Sequence, residues 1–384
     1  MTAPSPPPPS RPPPALPDQP PDSPGRPALD RESVRVAFTL VLALAAACLC
    51  VWLRTPLPWM IGPLLATAFA SMLGGPTASW TPLRNIGQWT IGCALGLYFT
   101  PQVVALVAGL WWAILLGIFW ALGLGVAVGK WLYRVHHGPG PFHVAGLSRT
   151  TTYFASHVGG ASEMTLMSER HGGQPELVAC AHSVRILLVT LIIPFGFQWA
   201  GLHGMDSIAP GLRVVNPSGL ALLAVATGLG CLAVRRVGMT NPWFLGALLV
   251  SLLFTACGVT LSTVPQSLTN AAQLVIGISL GVRFTRSFMH LAPRWLGSIA
   301  LSTIVMILLS GAFAWVLAQA VGLHWATLML GTAPGGIAEM TITAKVLQLG
   351  VPVVTAFQVT RLAAVLFFTE PVFRWFYKEG DGHH

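Results

Sequence analysis

The chain has 384 residues, 54% hydrophobic and only 9% charged, with a mean hydropathy of +0.68 and a formal net charge of +9. An average soluble domain carries about 25% charged residues, so composition excludes a soluble globular protein. The basic residues are scattered singly between apolar stretches, which excludes a nucleic-acid-binding face and reads as membrane topology.

Residues 1–30 hold thirteen prolines interspersed with Ser, Asp and Arg. Such a segment cannot bury a core, so residues 1–32 are expected to form a disordered cytoplasmic tail, serving as a tether or a partner-binding polyproline segment. No basic region leads directly into an apolar stretch with a cleavage site, so the tail does not read as a signal peptide. Beyond it, Val36–Leu53, Pro101–Gly129 and Val237–Val282 contain no charged residue. About 20 apolar residues cross a bilayer, and in lipid the backbone must satisfy itself, so an all-α polytopic membrane protein is expected. Helices are predicted near 34–53, 57–73, 83–99, 102–131 and 175–200, and again near 216–236, 242–258, 267–284, 294–321 and 352–376. The six cysteines (Cys48, Cys50, Cys93, Cys180, Cys231, Cys257) lie in apolar segments without CxxC spacing and read as small buried hydrophobes.

The second set of helices mirrors the first because the chain repeats itself. Gly159-Gly160-Ala161-Ser162-Glu163-Met164 recurs 176 residues later as Gly335-Gly336-Ile337-Ala338-Glu339-Met340, and Arg185 and Arg361 each follow their glutamate by 22 residues. Pro58-Trp59-Met60-Ile61-Gly62 matches Pro242-Trp243-Phe244-Leu245-Gly246. The pattern Asn85-x-x-Gln88-x-x-Ile91-Gly92-x-x-Leu95-Gly96-x-x-Phe99-Thr100 matches Asn270-x-x-Gln273-x-x-Ile276-Gly277-x-x-Leu280-Gly281-x-x-Phe284-Thr285, at a shift of 185. The first copy therefore holds nine extra residues, assigned to a loop over Lys130–Gly146. These matches predict two membrane repeats, 33–204 and 212–378, each of about five transmembrane helices plus a broken or re-entrant segment carrying the Gly-Gly-x-x-Glu motif.

Charge sets the expected topology. If each motif segment is re-entrant and the amino terminus is inside, Arg84, Lys130, Arg134, Arg149, Arg235, Arg236, Arg283, Arg286, Arg294, Arg374 and Lys378 all fall on the cytoplasmic face. Arg54, Arg213 and Lys345 fall outside. Five crossings per repeat make the repeats inverted, a pattern of secondary transporters with midplane sites.

At these motifs the chain resembles the AbrB-type membrane protein family, or AbrB duplication family, over nearly everything after residue 33. The resemblance implies two tandem copies of one hydrophobic unit, in the cytoplasmic membrane of a bacterium. Names attached to that family include a regulator of gene expression and an ammonia monooxygenase, and no residue of this chain supports either. The first copy departs from the second by Val158 in place of Pro334 and His182 in place of Gln358.

Ionisable groups inside a membrane are expensive, and their default reading is functional. Glu163 and Glu339 read either as proton-carrying or cation-binding carboxylates, or as first-turn acids that favour a helix amino terminus. Arg185 and Arg361 fall mid-helix and need partners: a substrate carboxylate or phosphate, or one of the glutamates. With Gly159, Gly160, Gly335 and Gly336 these four form the candidate substrate-binding set. Asn85, Gln88, Asn270 and Gln273 either line a pathway or bond between helices. Gly92, Gly96, Gly277 and Gly281 have the spacing of close helix packing. His136-His137 is placed in a loop, His157 and His182 read as core histidines or proton-relay members, and no histidine spacing suggests a metal site. The reading is a non-enzymatic transporter of a small organic anion or metabolite, coupled to protons, with no cofactor and with its site at the repeat interface. It works in the bilayer on a small-molecule ligand, without direct nucleic-acid contact, and as a homo-oligomer. The alternative is a membrane regulator or sensor that transports nothing.

Overall fold

The computed structural model describes residues 32–138, 144, 147–202, 215–239, 241–286 and 293–377. The proline-rich tail, most of the segment after Gly138 with its extra residues, Arg213 and Lys378 lie outside the described residues. Fifteen helices and no strand are found among the described residues. The first half contributes α1 (Glu32–Trp52), α2 (Pro58–Met72), α3 (Thr81–Gly96), α4 (Pro101–Gly109), α5 (Trp111–His137), α6 (Arg149–Ser156), α7 (Ala161–Arg170) and α8 (Pro175–Trp199). The second half contributes α9 (Pro217–Arg236), α10 (Pro242–Ala256), α11 (Gln266–Gly281), α12 (Pro293–Val321), α13 (Trp325–Thr332), α14 (Ile337–Val346) and α15 (Val351–Tyr377).

Local sequence explains many of the helix starts. Proline occupies the first turn of α2, α3, α4, α8, α9 and α10, where its missing N–H and fixed φ cost nothing. Leu57 (φ 48°) and Asn241 (φ 51°) take the left-handed conformation at matched positions, just before α2 and α10.

Six helices, α1, α5, α8, α9, α12 and α15, are long and apolar enough to cross a membrane. Their large exposed residues, such as Val41, Phe119, Leu229, Leu308 and Phe367, give the molecule an apolar outer surface. The chain is a polytopic helical membrane protein. Five equally long spans per repeat are not found, however. The helices expected over 57–73, 83–99, 242–258 and 267–284 have only 15 or 16 residues, about 22–24 Å at 1.5 Å per residue. The bilayer core needs about 30 Å. After α3 the chain turns by 89° into α4.

The four short helices occupy the centre. There α2 packs against α11 and α3 against α10, so each half completes the other, while α1 covers α2 and α9 covers α10. The Gly-x-x-x-Gly pairs lie at these crossings. A Cβ on Gly277 would fall 2.5 Å from the Met60 carbonyl, and one on Gly281 would fall 2.6 Å from the Leu64 carbonyl. Gly92 and Gly96 face the carbonyls of Phe244 and Leu248, the residues matched to Met60 and Leu64. Small residues let backbones approach and gain dispersion energy that lipid tails cannot replace.

Two smaller expectations change. α5 continues to His137, so the supposed loop is helical through that point. His136 is fully buried and meets Trp295 edge-on at 5.4 Å, a packing contact that extends the helix. Among the cysteines, Cys93, Cys180 and Cys231 are buried, but Cys48 and Cys257 are exposed on helices of the outer surface or at their ends.

Candidate functional site

Each Gly-Gly-x-x-Glu motif sits at the break of a two-helix hairpin. α6 and α7 are separated by residues 157–160, and α13 and α14 by residues 333–336. The two ends of each hairpin meet. The Gln174 N–H, at the start of α8, donates to Thr151 Oγ1 in the first turn of α6 at 2.9 Å. At the matched place, Gly350 lies against Thr327, where an added Cβ would be 2.7 Å from Cγ2. In each hairpin the residue that opens the following long helix thus lies beside the first turn of the hairpin's first helix.

A buried arginine holds each break. The Arg185 Nη1 donates to the carbonyls of Ala155 (3.2 Å) and Ser156 (3.1 Å), and Nη2 donates to that of His157 (3.0 Å). The Arg361 Nη1 donates to the Ala333 carbonyl (2.6 Å), and Nη2 to that of Gly335 (2.7 Å). The last carbonyls of a helix carry partial negative charge and lack intrahelical partners. These guanidiniums supply both the charge and the donors. Neither arginine forms a salt bridge with Glu163 or Glu339 among the described residues, so of the two partners the sequence suggests, substrate anion or glutamate, the second is not seen, and the guanidiniums clamp carbonyls instead.

The clamp also unites His182 with Gln358. Arginine only donates, so His182 Nδ1, 2.6 Å from Arg185 Nη2, is the acceptor, and Nε2–H donates to the Phe154 carbonyl at 3.2 Å. Gln358 does the same through its amide. Its Oε1 accepts from Arg361 at 2.7 Å and its Nε2 donates to Leu330 O at 2.6 Å. Both nitrogens of His182 are thus engaged, as in a core histidine. His157 bonds to the Tyr153 carbonyl through Nδ1 at 2.8 Å, while its buried Nε2 has no partner.

The hairpin geometry explains the motif residue by residue. Gly160 and Gly336 are the N-caps of α7 and α14, with φ of −64° and −79°, so glycine is not required for its conformational freedom. It leaves space for the glutamate, because a Cβ on Gly160 or Gly336 would displace the carboxylate tip of Glu163 or Glu339, which has least room to move at the buried Glu339. Each glutamate lies in the first helical turn and folds back over the N-cap, as acids at the third helical position do. Gly159 and Gly335 make room for Met164 and Met340, both fully buried, at 2.8 Å from a notional Cβ. Gly336→Ala is therefore expected to destabilise by about 1–3 kcal/mol, with much of that cost removed in Gly336→Ala/Glu339→Ala. Additive effects in thermal unfolding would refute the collision.

The two hairpins differ in surroundings. α14 is buried from Ile337 to Ala344, with Glu339 only 7% exposed. α7 is open on one face and Glu163 is half-buried. α14 packs against α8, the helix of Arg185, so both motif sets meet in one region. An open groove of about 610 Å³ runs between α7 and α8. It is lined by Ser162, Thr165 and Glu169 from α7, by Glu176 and Ser183 from α8, and by Arg283 just after α11. Sequence reading treats Arg283 only as a mark of membrane sidedness. The overlooked signal is that this charged residue stands where the matched block of the first copy has Tyr98. Gln273 is buried and Asn85, Gln88 and Asn270 are half-buried on the packed pair α3 and α11, and none of the four lines the groove.

The chain matches the family model described as "Transition state regulatory protein AbrB" over residues 59–377. It belongs to the AbrB family. The Escherichia coli (strain K12) protein named "Putative regulator AbrB" is 25% identical over 319 residues, covering 81% of this chain and 87% of that protein. The Bacillus subtilis (strain 168) protein named "Uncharacterized protein YhjN" is 22% identical over 340 residues, covering 82% and 86%. The family match includes both hairpins and both arginine clamps.

Proposed function

We propose that this AbrB-family protein is a secondary transporter of small organic anions or metabolites, built from two inverted repeats over 33–204 and 212–378. The observation that carries the reading is the pair of broken hairpins, each with its two ends meeting and charged groups at the break. A returning hairpin adds no crossing, so inverted repeats require the short α2, α3, α10 and α11 to cross within the protein interior alongside the six long spans, giving five crossings per half. An odd number turns the second repeat over, and broken helices near the midplane of such repeats are where transporters bind cargo. Gly159, Gly160, Glu163, Gly335, Gly336 and Glu339 form the breaks, and Arg185 and Arg361 supply fixed positive charge behind them. The glutamates are the groups able to exchange a coupling proton. Cationic residues gather with the same ends: Lys130 lies 4.7 Å from the Phe376 ring and Arg149 lies 5.1 Å from Tyr133, on the side assigned to the cytoplasm.

The test is proton flux into proteoliposomes, read by an internal pH dye while pooled carboxylate metabolites are applied. Wild type should give a ligand-dependent signal that Glu163→Gln/Glu339→Gln abolishes. An unchanged signal in the double variant would refute the role of the glutamates. A silent wild type that still binds a ligand would support the second reading, a membrane regulator without transport, which the family description and the name of the E. coli relative favour.

A further inference from the structure

We infer that Arg283 is the anion-binding residue of the groove between α7 and α8, and that the groove takes a small carboxylate. This deepens the transporter reading and rests on it for direction of movement only, because binding at the groove can be measured without flux. Arg185 and Arg361 cannot serve equally well, since most of their donors are committed to half-helix carbonyls. Arg283 is different. Its guanidinium is half-buried, lines the groove, and makes no hydrogen bond or salt bridge among the described residues. An arginine keeps its charge under all ordinary conditions, and a half-buried one with Glu339 within electrostatic reach but with no side-chain hydrogen bond among the described residues has donors left for an anion in the groove.

The charges around it set the class of that anion. Arg84 and Glu339 lie within electrostatic reach of Arg283. Two arginines and one glutamate leave a net charge of one or two positive units, according to whether Glu339 holds its proton, which suits a small anion. Among the described residues the groove wall offers one free hydroxyl, that of Ser162, which can donate to a carboxylate oxygen, while Thr165 and Ser183 already donate to the carbonyls of Ala161 and Ala179. Glu169 and Glu176 stand exposed at the far end of the same faces, so an anion is repelled at that end and drawn towards Arg283. The proposal also makes the two halves unequal. The position matched to Arg283 is Tyr98, and the helix matched to α7 is the buried α14. One binding groove follows, built mostly by the first half, with Arg283 supplied by the second.

The test is ligand binding to the detergent-purified full chain, read as thermal stabilisation during titration with acetate, succinate and citrate. Sodium phosphate and choline chloride serve as comparison probes. At least one carboxylate should stabilise wild type. Arg283→Gln should weaken that binding about tenfold or more, and Arg283→Lys should retain part of it. Ser162→Trp, at an exposed position, should block the groove without removing a buried contact, so it keeps the test informative if Arg283→Gln folds poorly. Undiminished binding in both Arg283→Gln and Ser162→Trp would overturn the assignment. So would stronger binding of phosphate, or a wild type that responds to no carboxylate. Normal proton flux with undiminished Arg283→Gln binding would sink this inference alone. Absent flux with Arg283-dependent binding would sink only the transporter reading.

Discussion

Arg361→Ala and Arg185→Ala are each expected to cost about 3–5 kcal/mol of stability, enough to unfold many membrane proteins in detergent. Removing Arg361 leaves the carbonyls of Ala333 and Gly335 and the Gln358 Oε1 without their strongest donor. Removing Arg185 strips three consecutive carbonyls, Ala155, Ser156 and His157, together with His182 Nδ1. Each buried acceptor left unsatisfied costs about 1–3 kcal/mol, and Ala155, Ser156, His157 and Ala333 are all almost fully buried. Lysine should rescue poorly, because one compact ammonium group cannot reproduce a planar fork that reaches several acceptors. The comparison is Arg374→Ala. Its exposed pair with Glu370 closes at 2.6 Å, yet such surface pairs contribute only about 0–1 kcal/mol. Thermal unfolding of the purified variants decides the matter: if Arg361→Ala and Arg185→Ala unfold no earlier than Arg374→Ala, the clamp is not what holds the breaks.

The clamp marks the limit of what the sequence discloses. Long apolar runs announce helices because their period and length are written in side chains. The six long spans and the placement of both broken segments therefore follow from reading residues in order. The glutamate and arginine of each motif stand out for the same reason, as charges in apolar surroundings. Their partners do not. Arg185 and Arg361 bind backbone carbonyls, which every residue carries and no pattern distinguishes, so charge pairing with Glu163 and Glu339 appears the natural choice from sequence. His182 against Gln358 looks like a chemical difference between the copies. In the folded chain each accepts from an arginine and donates to a carbonyl, which imidazole and carboxamide both do. Helix lengths at the centre are equally hidden. The apolar run Val237–Val282 is long enough for two crossings, but its helices stop at 15 and 16 residues.

The two unequal features of the halves belong together. α14 is sealed and α7 is open, and only the second half places an arginine beside the opening. A strictly symmetric pair of hairpins would offer two half-sites, each with its own acid. Here the sealed hairpin contributes Glu339 towards Arg283 and the open hairpin contributes the groove wall. Duplicated parts can thus be kept for architecture while the binding chemistry concentrates on one side.

Architecture of this kind depends on the central crossings, where Gly92→Val and Gly277→Val should rank among the most damaging glycine substitutions of the described residues. The atom facing Gly277 is the Met60 carbonyl, and that facing Gly92 is the Phe244 carbonyl. Both belong to helix backbone, so neither can swing aside as a side-chain tip would. Even the first carbon forces α2 away from α11 or α3 away from α10, and overpacking of this kind costs about 1–3 kcal/mol before the valine methyls are added. Glycines with open space around them give the contrast. Gly123 and Gly297 meet nothing within 4 Å, so alanine there should be neutral or stabilise by up to about 1 kcal/mol through helix propensity. Activity should follow the same order. α14 and α15 both pack against α3, so a displaced α3 carries the second hairpin and its arginine clamp with it. Gly92→Val protein that remains folded should therefore lose carboxylate binding although no groove residue has changed, whereas folded Gly123→Ala should bind as wild type does. Equal stability and equal binding in the two variants would mean that the crossings tolerate expansion and that the hairpins are positioned by something other than α3.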